Sequence, residues 1–315
     1  MREIKKVLVL GAGVMGHGFA QVFAANGLEV YLIDRDKDVL DRGLKWIREN
    51  LESLVELERL EAEEIEKILG RVKPGLDYRP VVSEVDYVLE AVTENLELKK
   101  EVFVSLGRLT GPEVILATNT SSYDINEFCN VAAHPERVIG THWFHPPQIT
   151  PCVEIIPGGA TGEETIERAT DLMKKIGKFP TRVQSGPGFV ANRIQNAMAA
   201  EALKLVEEGL ATPEEVDRVV KSSFGFRLSA YGPFEIIDQA GADTYLSVFE
   251  YLYSKLKRDH FKPSPLLARL VEEGRLGLKA GAGFYEYKNG AAESLKRERD
   301  SRLWARHSLF WKEQE

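Results

Sequence analysis

The N-terminal half of the chain alternates short apolar, β-branched runs with stretches of helical period. Apolar runs bounded by turn residues predict buried strands, and the stretches between them predict helices. The predicted strands are residues 7–10, 28–33, 87–91, 114–118, 138–142, 153–156 and 179–183. Strands that alternate with helices are typical of a parallel sheet covered on both faces, so this half predicts an α/β fold.

The pattern changes near residues 185–188, where turn residues cluster. Helical patterns follow at residues 189–208, 213–222, 234–256 and 265–273. We therefore predict an α/β domain over residues 1–185 with a mostly parallel sheet, and an all-α domain over residues 186–290. The first domain contains a helical excursion over residues 36–73, and a charged, amphipathic extension occupies residues 291–315.

Composition places the chain of 315 residues among soluble globular proteins, with 43% apolar and 29% charged residues. No apolar run approaches the ~20 residues that a bilayer-spanning helix needs, and an apolar run that begins by Ile4 leaves no room for a targeting peptide. Cys129 and Cys152 lack the spacing of a redox or metal motif. We expect a cytoplasmic protein without a membrane segment. The net charge of −8 argues against nucleic acid as a partner.

A glycine-rich turn follows the first predicted strand and reads Gly11-Ala12-Gly13-Val14-Met15-Gly16. Gly11 permits the tight turn, Gly13 lets a pyrophosphate approach the backbone, and Gly16 lets the next helix pack on the strand. The N-terminus of that helix attracts the phosphates. Asp34 ends the second predicted strand, where its carboxylate would bind the ribose hydroxyls and repel a 2′-phosphate. The motif therefore predicts a Rossmann-type domain that binds NAD in preference to NADP.

Polar residues follow three later predicted strands at the point where each strand ends: residues 93–95, residues 119–122 and His142. Ligands of open α/β sheets bind at this edge. A helix cap by Ser121 or Ser122 would be the simpler explanation of one cluster. Three clusters beside a dinucleotide site indicate an active site.

His142 is the candidate general base. Its unperturbed pKa lies near 6.5, and a carboxylate can fix its tautomer and stabilise the imidazolium. Glu154 follows twelve residues later on the next predicted strand and is the expected carboxylate. Glu90 is the alternative.

Seven motifs of the chain resemble those of the L-3-hydroxyacyl-CoA dehydrogenase family. They are GAGVMGHGFA, EAVTENLELK, TNTSS, GTHWFHPP, PGFVANR, GPFEIID and GLKAGAGFYEY, in the family's order over about residues 4–288. The resemblance implies a Rossmann-type NAD-binding domain, followed by an α-helical domain that carries the homodimer contact and closes over the active site.

The resemblance also implies roles for individual residues. His142 matches the catalytic base and Glu154 the carboxylate that orients it. Ser121 and Asn192 match residues that contact substrate or nicotinamide. The implied cofactor-binding residues are Gly11, Gly13, Val14, Met15, Gly16, Asp34, Glu94, Lys99 and His145. In the implied reaction, His142 takes the proton of a 3-hydroxyl while the C3 hydride moves to NAD.

His145 departs from the family, which reads His-x-x-Asn-Pro at this place. A neutral histidine still offers one donor and one acceptor, but a protonated His145 would favour a substrate carboxylate and depress the pKa of His142. A metal site at His-x-x-His is disfavoured because Pro146 and Pro147 follow at once and no further ligand cluster is evident. We predict no metal.

The helical excursion is the second departure. Residues 49–66 hold eight glutamates and a single arginine, whereas this region of the family helps to bind coenzyme A. The anionic coenzyme would be repelled unless Lys67, Arg71 and Lys73 face its phosphates, although salt screens exposed charges over ~8–10 Å.

The sequence thus predicts a small-molecule substrate and NAD-dependent oxidation of a 3-hydroxyacyl-CoA by hydride transfer. The alternative substrate is a free hydroxy acid or another small carboxylate-bearing alcohol. A cofactor-binding protein without turnover is disfavoured, because the complete set of His142, Glu154, Ser121 and Asn192 is present. A dehydrogenase with a catalytic lysine is disfavoured for the same reason.

Overall fold

A computed structural model of the chain describes residues 3–287 and 291–312. The chain divides into two units, Met1–Ala199 and Ala200–Glu315. The domain boundary predicted between residues 185 and 186 stays a prediction.

The first unit is built on one sheet of eight strands. They are β1 (Lys6–Leu10), β2 (Glu29–Ile33), β3 (Val72–Gly75), β4 (Tyr87–Glu90), β5 (Ile115–Thr118), β6 (Val138–Trp143), β7 (Cys152–Pro157) and β8 (Phe179–Arg182). Their order across the sheet is β3-β2-β1-β4-β5-β6-β7-β8. Every predicted strand overlaps an observed one, but β3 was missed. Its sequence, Val-Lys-Pro-Gly, reads as a turn, and proline is tolerated there because β3 is an edge strand.

Neighbouring strands run parallel except for β6 and β7, which are antiparallel. Only residues 144–151 connect them, and this is shorter than the crossover that a parallel pair needs. The antiparallel register places His142 directly opposite Glu154. The predicted α/β class with a mostly parallel sheet is confirmed.

Five helices cover the two faces of the sheet: α1 (Gly16–Ala25), α2 (Lys37–Glu56), α3 (Ala62–Leu69), α4 (Leu96–Leu109) and α5 (Glu163–Lys175). Side chains of a strand alternate between faces, so the sheet has two apolar cores. Val7 and Val9 of β1 belong to the core that includes residues of α1, α2 and α5. Leu8 and Leu10 belong to the core that includes Phe103 of α4.

The part of the chain that follows β8 is mainly helical, as predicted. Its helices are α6 (Ala191–Glu207), α7 (Pro213–Ser222), α8 (Phe224–Leu228), α9 (Pro233–Ala240), α10 (Ala242–Leu256), α11 (Pro265–Glu272) and α12 (Ala291–Lys312). The single helix predicted over residues 234–256 is divided at Gly241, whose φ of 104° is incompatible with a right-handed helix. α8 was not predicted. No helix within the described ranges is long and apolar enough to cross a membrane.

Candidate active site

The glycine-rich turn between β1 and α1 has no room for side chains at two of its three glycines. A Cβ on Gly11, which has a φ of 103°, would lie 2.4 Å from the carbonyl oxygen of Ala91, and one on Gly16 would lie 1.7 Å from that of Gly11. A Cβ on Gly13 would meet nothing within 4 Å. Gly11 and Gly16 therefore shape the turn, whereas Gly13 keeps the space above it open to a ligand.

The backbone of this turn has free hydrogen-bond donors. In the part of the chain that the structure describes, no group accepts a hydrogen bond from the N–H of Gly13, Val14 or Met15. Val14 is 58% exposed, so ligand can reach this backbone. Free N–H groups at the start of a helix bind phosphate, and the turn therefore fits the pyrophosphate of a dinucleotide.

Asp34 lies at the end of β2 on the wall of a cavity of about 690 Å³, together with Gly11 and Gly13. Its Oδ2 accepts a hydrogen bond from the Ala12 N–H at 2.9 Å, and its Oδ1 accepts one from the Asp36 N–H at 3.0 Å. Each oxygen keeps a further lone pair for a ribose hydroxyl. The position and chemistry of Asp34 fit the predicted cofactor.

His142 of β6 and Glu154 of β7 form a hydrogen-bonded pair across the two antiparallel strands. The distance from His142 Nδ1 to Glu154 Oε2 is 2.8 Å, and the two residues are only 4% and 3% exposed. Glu154 is thus the carboxylate partner of His142. Glu90, the alternative, is engaged elsewhere.

The second carboxylate oxygen of Glu154 binds the start of α6. Glu154 Oε1 accepts hydrogen bonds from the backbone N–H groups of Val190 at 3.2 Å and Ala191 at 3.0 Å. Burial acts to raise the pKa of Glu154, but the hydrogen bond from His142 and the two backbone N–H groups outweigh it, so the pKa is lowered. Glu154 is therefore ionised at neutral pH and can only accept hydrogen bonds.

Two aromatic rings enclose the His142 imidazole. The ring centroids of Phe144 and Phe189 lie 4.6 Å and 5.6 Å from that of His142. Phe189 has a φ of 48°, which bulky residues rarely adopt. Such strain occurs where surrounding structure enforces it, often at functional sites. Here the Phe189 ring packs on His142, while the N–H groups that follow Phe189 bind Glu154.

Ser121 and Asn192 lie together in the partly exposed part of the site. The Asn192 side-chain amide donates to the carbonyl oxygen of Ser121 at 3.0 Å. Ser121 does not cap a helix, because a 3₁₀ turn at Ile125–Glu127 follows and Asp124 caps that turn. The Ser121 hydroxyl lies 3.3 Å from that of Ser122.

Glu94 holds the backbone that carries Ser121. Its Oε1 accepts hydrogen bonds from the Thr120 hydroxyl at 2.5 Å and the Ser121 N–H at 3.1 Å. Burial acts to raise the pKa of Glu94, but the Thr120 hydroxyl and the charge of Lys99 lower it overall. Glu94 therefore positions Ser121, whatever further contact it makes with a cofactor.

Lys99 lies below this edge and is 1% exposed. Its ammonium donates to both oxygens of Glu90, at 2.8 Å and 3.0 Å, and lies 3.1 Å from Glu94. Thr118 also donates to Glu90, at 2.6 Å. In this arrangement Lys99 contacts carboxylates and not the open cavity. Its predicted contact with the cofactor stays a prediction.

His145 is exposed and lies in the loop that follows β6. His145 lies close enough to His17 of α1 to affect its pKa. The pKa of His17 is lowered, mainly by burial, and the charge of His145 contributes to the lowering. The hydrogen bond between His17 and the Gly13 carbonyl acts in the opposite direction. Among the described residues, no group of three or more His, Cys, Asp or Glu side chains could hold a metal ion.

The three cations of the excursion that could face coenzyme A have protein partners. Lys67 lies 2.5 Å from Glu64, and Lys73 lies 2.7 Å from Glu29. Arg71 donates to the carbonyl oxygen of Ala24 at 3.0 Å.

The sequence did not predict two of these features. The Glu90–Lys99 pair joins a strand to the following helix, and the only signal was a glutamate in an apolar strand. The backbone contacts of Glu154 depend on where the segment PGFVANR folds. The motif itself was recognised in the sequence, but it predicted a role for Asn192 only. The contacts of the Val190 and Ala191 N–H groups were not predicted.

The chain matches family models of a dehydrogenase over both of its parts. Its residues 6–186 match the family model of the 3-hydroxyacyl-CoA dehydrogenase NAD-binding domain, and residues 188–287 match that of the C-terminal domain of the same family. A probable 3-hydroxybutyryl-CoA dehydrogenase of Deinococcus radiodurans is 39% identical over 279 residues, which cover 89% of this chain and 99% of that protein.

Two solved structures match nearly the whole chain. A 3-hydroxyacyl-CoA dehydrogenase of Archaeoglobus fulgidus superposes with a TM-score of 0.78 at 31% identity, over 97% of this chain and 99% of that one. A 5-formyl-3-hydroxy-2-methylpyridine 4-carboxylic acid 5-dehydrogenase, described as an NAD⁺-dependent dismutase, has a TM-score of 0.74 at 32% identity. That match covers 98% of both chains.

Proposed function

The chain belongs to the 3-hydroxyacyl-CoA dehydrogenase family, and from this premise we propose that it oxidises a 3-hydroxyacyl-CoA to the 3-ketoacyl-CoA and catalyses the reverse reaction. It is an NAD-dependent oxidoreductase acting on a CH–OH group. The observation that carries the proposal is the buried His142–Glu154 pair in the unit that contains the dinucleotide turn. NAD bound at this turn supplies the acceptor for the hydride.

His142 is the proposed general base. Because Glu154 is ionised and can only accept, His142 Nδ1 carries the proton of their hydrogen bond. Nε2 is then the nitrogen that takes the proton of the substrate hydroxyl. Glu154 stabilises the imidazolium that forms, and its two contacts at the start of α6 keep it in place.

Ser121 and Asn192 are the proposed contacts to the substrate oxygen. The Ser121 hydroxyl has only the Ser122 hydroxyl as a described partner, at the long distance of 3.3 Å. One Asn192 N–H group is used by the Ser121 carbonyl, which leaves the second free to donate. A donor aimed at an oxygen that gains charge lowers the barrier in the reducing direction.

The test is NADH formation from NAD⁺ and 3-hydroxybutyryl-CoA by the purified chain, followed by absorbance at 340 nm. We expect turnover by the wild type and a loss of about 100- to 10,000-fold in His142→Gln, because a general base contributes a factor of this size. NADH affinity should be unchanged in the variant. Near-normal turnover by His142→Gln would remove it as the base.

A second candidate substrate is a small free carboxylate-bearing alcohol. The excursion is acidic, and two of its candidate cations, Lys67 and Lys73, each pair with a glutamate. The third, Arg71, donates to the backbone carbonyl of Ala24. His145 could bind a substrate carboxylate when protonated. The matching dehydrogenase named for a pyridine carboxylic acid also covers nearly the whole chain.

His145→Asn separates the two candidates. If His145 binds a carboxylate, the variant gains activity on 3-ketoacyl-CoA relative to free keto acids. An unchanged ratio would show that His145 is a tolerated replacement.

We also propose that the enzyme is a homodimer through its helical part. None of the residues of α6 or α7 is buried, and Ile194, Met198, Leu203 and Val219 are more than 40% exposed. Such exposed apolar side chains are typical of a protein interface. Light scattering after size exclusion should give twice the 35.3 kDa of the chain. A monomer at micromolar concentration would contradict this.

A further inference from the structure

Three charged side chains meet at the carboxyl end of β4. Glu90 is the last residue of β4, Lys99 lies in the first turns of α4, and Glu94 lies in the connection between the two elements. Glu90 and Lys99 are 0% and 1% exposed, whereas the side chain of Glu94 is 36% exposed. The group therefore contains two carboxylates and one ammonium, and Glu94 is its outermost member.

The strand register places this charged group beside the dinucleotide turn. β1 and β4 are parallel neighbours, and Leu10 at the end of β1 is the register partner of Glu90. A Cβ on Gly11 would lie 2.4 Å from the carbonyl oxygen of Ala91, which directly follows Glu90. The turn and the charged group thus lie side by side at the carboxyl edge of the sheet, where dinucleotides bind in this class of fold.

Lys99 can balance only one of the two carboxylates. Its ammonium donates to both oxygens of Glu90, at 2.8 Å and 3.0 Å, and lies 3.1 Å from Oε2 of Glu94. With both glutamates ionised, the three side chains sum to one negative charge. Because Glu90 is fully buried, the carboxylate that presents this charge to a ligand is that of Glu94.

Glu94 keeps its charge although it is partly buried. Burial acts to raise its pKa, but the hydroxyl of Thr120 and the charge of Lys99 outweigh burial, so the pKa is lowered overall. The Ser121 N–H donates to the same carboxylate at 3.1 Å. Salt screens a partly buried charge less than a fully exposed one, so the charge of Glu94 can act on a ligand bound nearby.

The charge of the nicotinamide ring changes during the proposed reaction, on which this argument rests. The ring of NAD⁺ is a cation, and the hydride that it accepts from C3 of the substrate makes it neutral in NADH, while the hydroxyl proton goes to His142 Nε2. Hydride transfer requires the ring and C3 to be in contact. Since Ser121 is the proposed contact of the substrate oxygen and its N–H binds Glu94, the ring lies close to the Glu94 carboxylate.

We propose that Glu94 discriminates between the two redox states of the cofactor. Its negative charge attracts the cationic ring of NAD⁺ and does not attract the neutral ring of NADH. Glu94 thereby strengthens the binding of NAD⁺ relative to NADH, which raises the fraction of enzyme that carries NAD⁺ when both cofactors are present. This role of its charge is separate from the hydrogen bonds with which Glu94 positions Ser121.

The test is calorimetric titration of the full-length protein with NAD⁺, NADH and ADP-ribose, without substrate. ADP-ribose has the groups that bind the dinucleotide turn but lacks the nicotinamide. In Glu94→Gln the amide oxygen can still accept from the Thr120 hydroxyl and the Ser121 N–H. We expect this variant to bind NAD⁺ about tenfold more weakly, the effect of one charge at about 12 Å and an effective dielectric constant of about 20.

The affinities of Glu94→Gln for NADH and ADP-ribose should stay within about twofold of the wild type, because neither ligand carries the cationic ring. A loss of NAD⁺ affinity of less than twofold would overturn the proposal. So would an equal loss for all three ligands, which would show that the variant damages the dinucleotide turn.

Two further variants separate the charge of Glu94 from its hydrogen bonds. Glu94→Asp keeps the charge but shortens the side chain that reaches Thr120 and Ser121, so kcat should fall while the ratio of the NAD⁺ and NADH dissociation constants stays within about threefold. Glu97→Gln removes a carboxylate that is 76% exposed and paired with Lys100, and it should leave all three dissociation constants unchanged. A ratio that changes as much in either control as in Glu94→Gln would contradict the role of the charge.

Because the titrations need no substrate, their failure can be told apart from failure of the proposed function. If the wild type does not oxidise 3-hydroxybutyryl-CoA but Glu94→Gln loses NAD⁺ affinity, the proposed substrate is wrong and the role of Glu94 holds. If the wild type oxidises 3-hydroxybutyryl-CoA and Glu94→Gln binds NAD⁺ normally, only the role of Glu94 is wrong.

Discussion

Charged side chains are fixed in different ways in two regions of the first unit, the buried sheet edge and the exposed helical excursion. His142 and Glu154 face each other across two strands, and Glu154 is fixed by backbone N–H groups as well. Lys67 and Glu64 pair on a helix surface where their side chains are 60% and 40% exposed. The first arrangement is set by the backbone and excludes water, whereas the second depends on two flexible side chains in solvent.

This difference separates the chemistry from the choice of substrate. If His142 is the base that we propose, a pair fixed by strand register serves any substrate whose hydroxyl reaches it. His145 and the glutamates of the excursion make no described hydrogen bond or ion pair with that pair. The family relationship therefore indicates the type of reaction more firmly than it indicates whether the substrate is a CoA thioester or a free acid.

Removing the charge of Glu154 should have the largest effect. We expect kcat of Glu154→Gln to fall about 100- to 10,000-fold, because the imidazolium loses its counter-charge and the amide can impose the wrong tautomer. Glu163→Gln, which breaks an exposed pair with Arg182, is the matched control and should keep full activity. Steady-state kinetics check both. A fall of less than tenfold for Glu154→Gln would mean that the buried pair is not the proton relay.

The next effect concerns stability and compares two neighbouring lysines of α4. Glu90→Gln leaves the buried Lys99 without its main partner and should lower the free energy of unfolding by about 3–5 kcal/mol. Glu97→Gln breaks the ion pair between Lys100 and Glu97, in which the Glu97 side chain is 76% exposed. This variant should lower the free energy of unfolding by only about 0.2–1 kcal/mol. Urea unfolding monitored by circular dichroism gives both values. Equal losses would show that burial does not distinguish the two pairs.

Asp34→Asn should change the choice of cofactor by a smaller factor. The amide can still accept from the Ala12 N–H, but it no longer repels a 2′-phosphate. The preference for NADH over NADPH, measured as a ratio of kcat/KM, should fall about tenfold, which corresponds to about 1.4 kcal/mol. An unchanged ratio would mean that Asp34 serves only the backbone of the turn.

The smallest effect is expected on the excursion. Because Lys67 is already paired with Glu64 in solvent, Lys67→Gln should change KM for a 3-ketoacyl-CoA by less than about twofold. Substrate titration at low and moderate salt checks this. A tenfold rise in KM that disappears at high salt would show that Lys67 leaves its partner to bind the coenzyme, which would strengthen the thioester assignment.

The apolar pattern was sufficient to predict seven of the eight strands of the sheet, and the glycines marked the turn that we propose binds the dinucleotide. Buried strands need apolar runs, and a pyrophosphate turn needs glycine, so both leave a clear local signal. The edge strand β3 left no such signal, because it has a single apolar residue followed by lysine, proline and glycine. Its proline is tolerated because the strand has only one neighbour.

The structure brings together His142 and Glu154, which the sequence had selected as a candidate pair, but their further connections could not be predicted. His142 lies in the motif GTHWFHPP, and Glu154 was chosen as a carboxylate on the next predicted strand. The register that sets them opposite depends on the antiparallel return of β7, and the second anchor of Glu154 depends on where α6 begins. The ion pairs of Lys67 with Glu64 and of Lys73 with Glu29 depend on side-chain conformation, which cannot be predicted from the composition of the excursion.

The most direct test of the proposed function is the ratio of kcat/KM for acetoacetyl-CoA to that for acetoacetate, measured with NADH and the purified protein. If the substrate is a 3-hydroxyacyl-CoA, binding energy from the coenzyme raises this ratio to at least about 100. A ratio below one would contradict the proposal and assign the site to a free carboxylate.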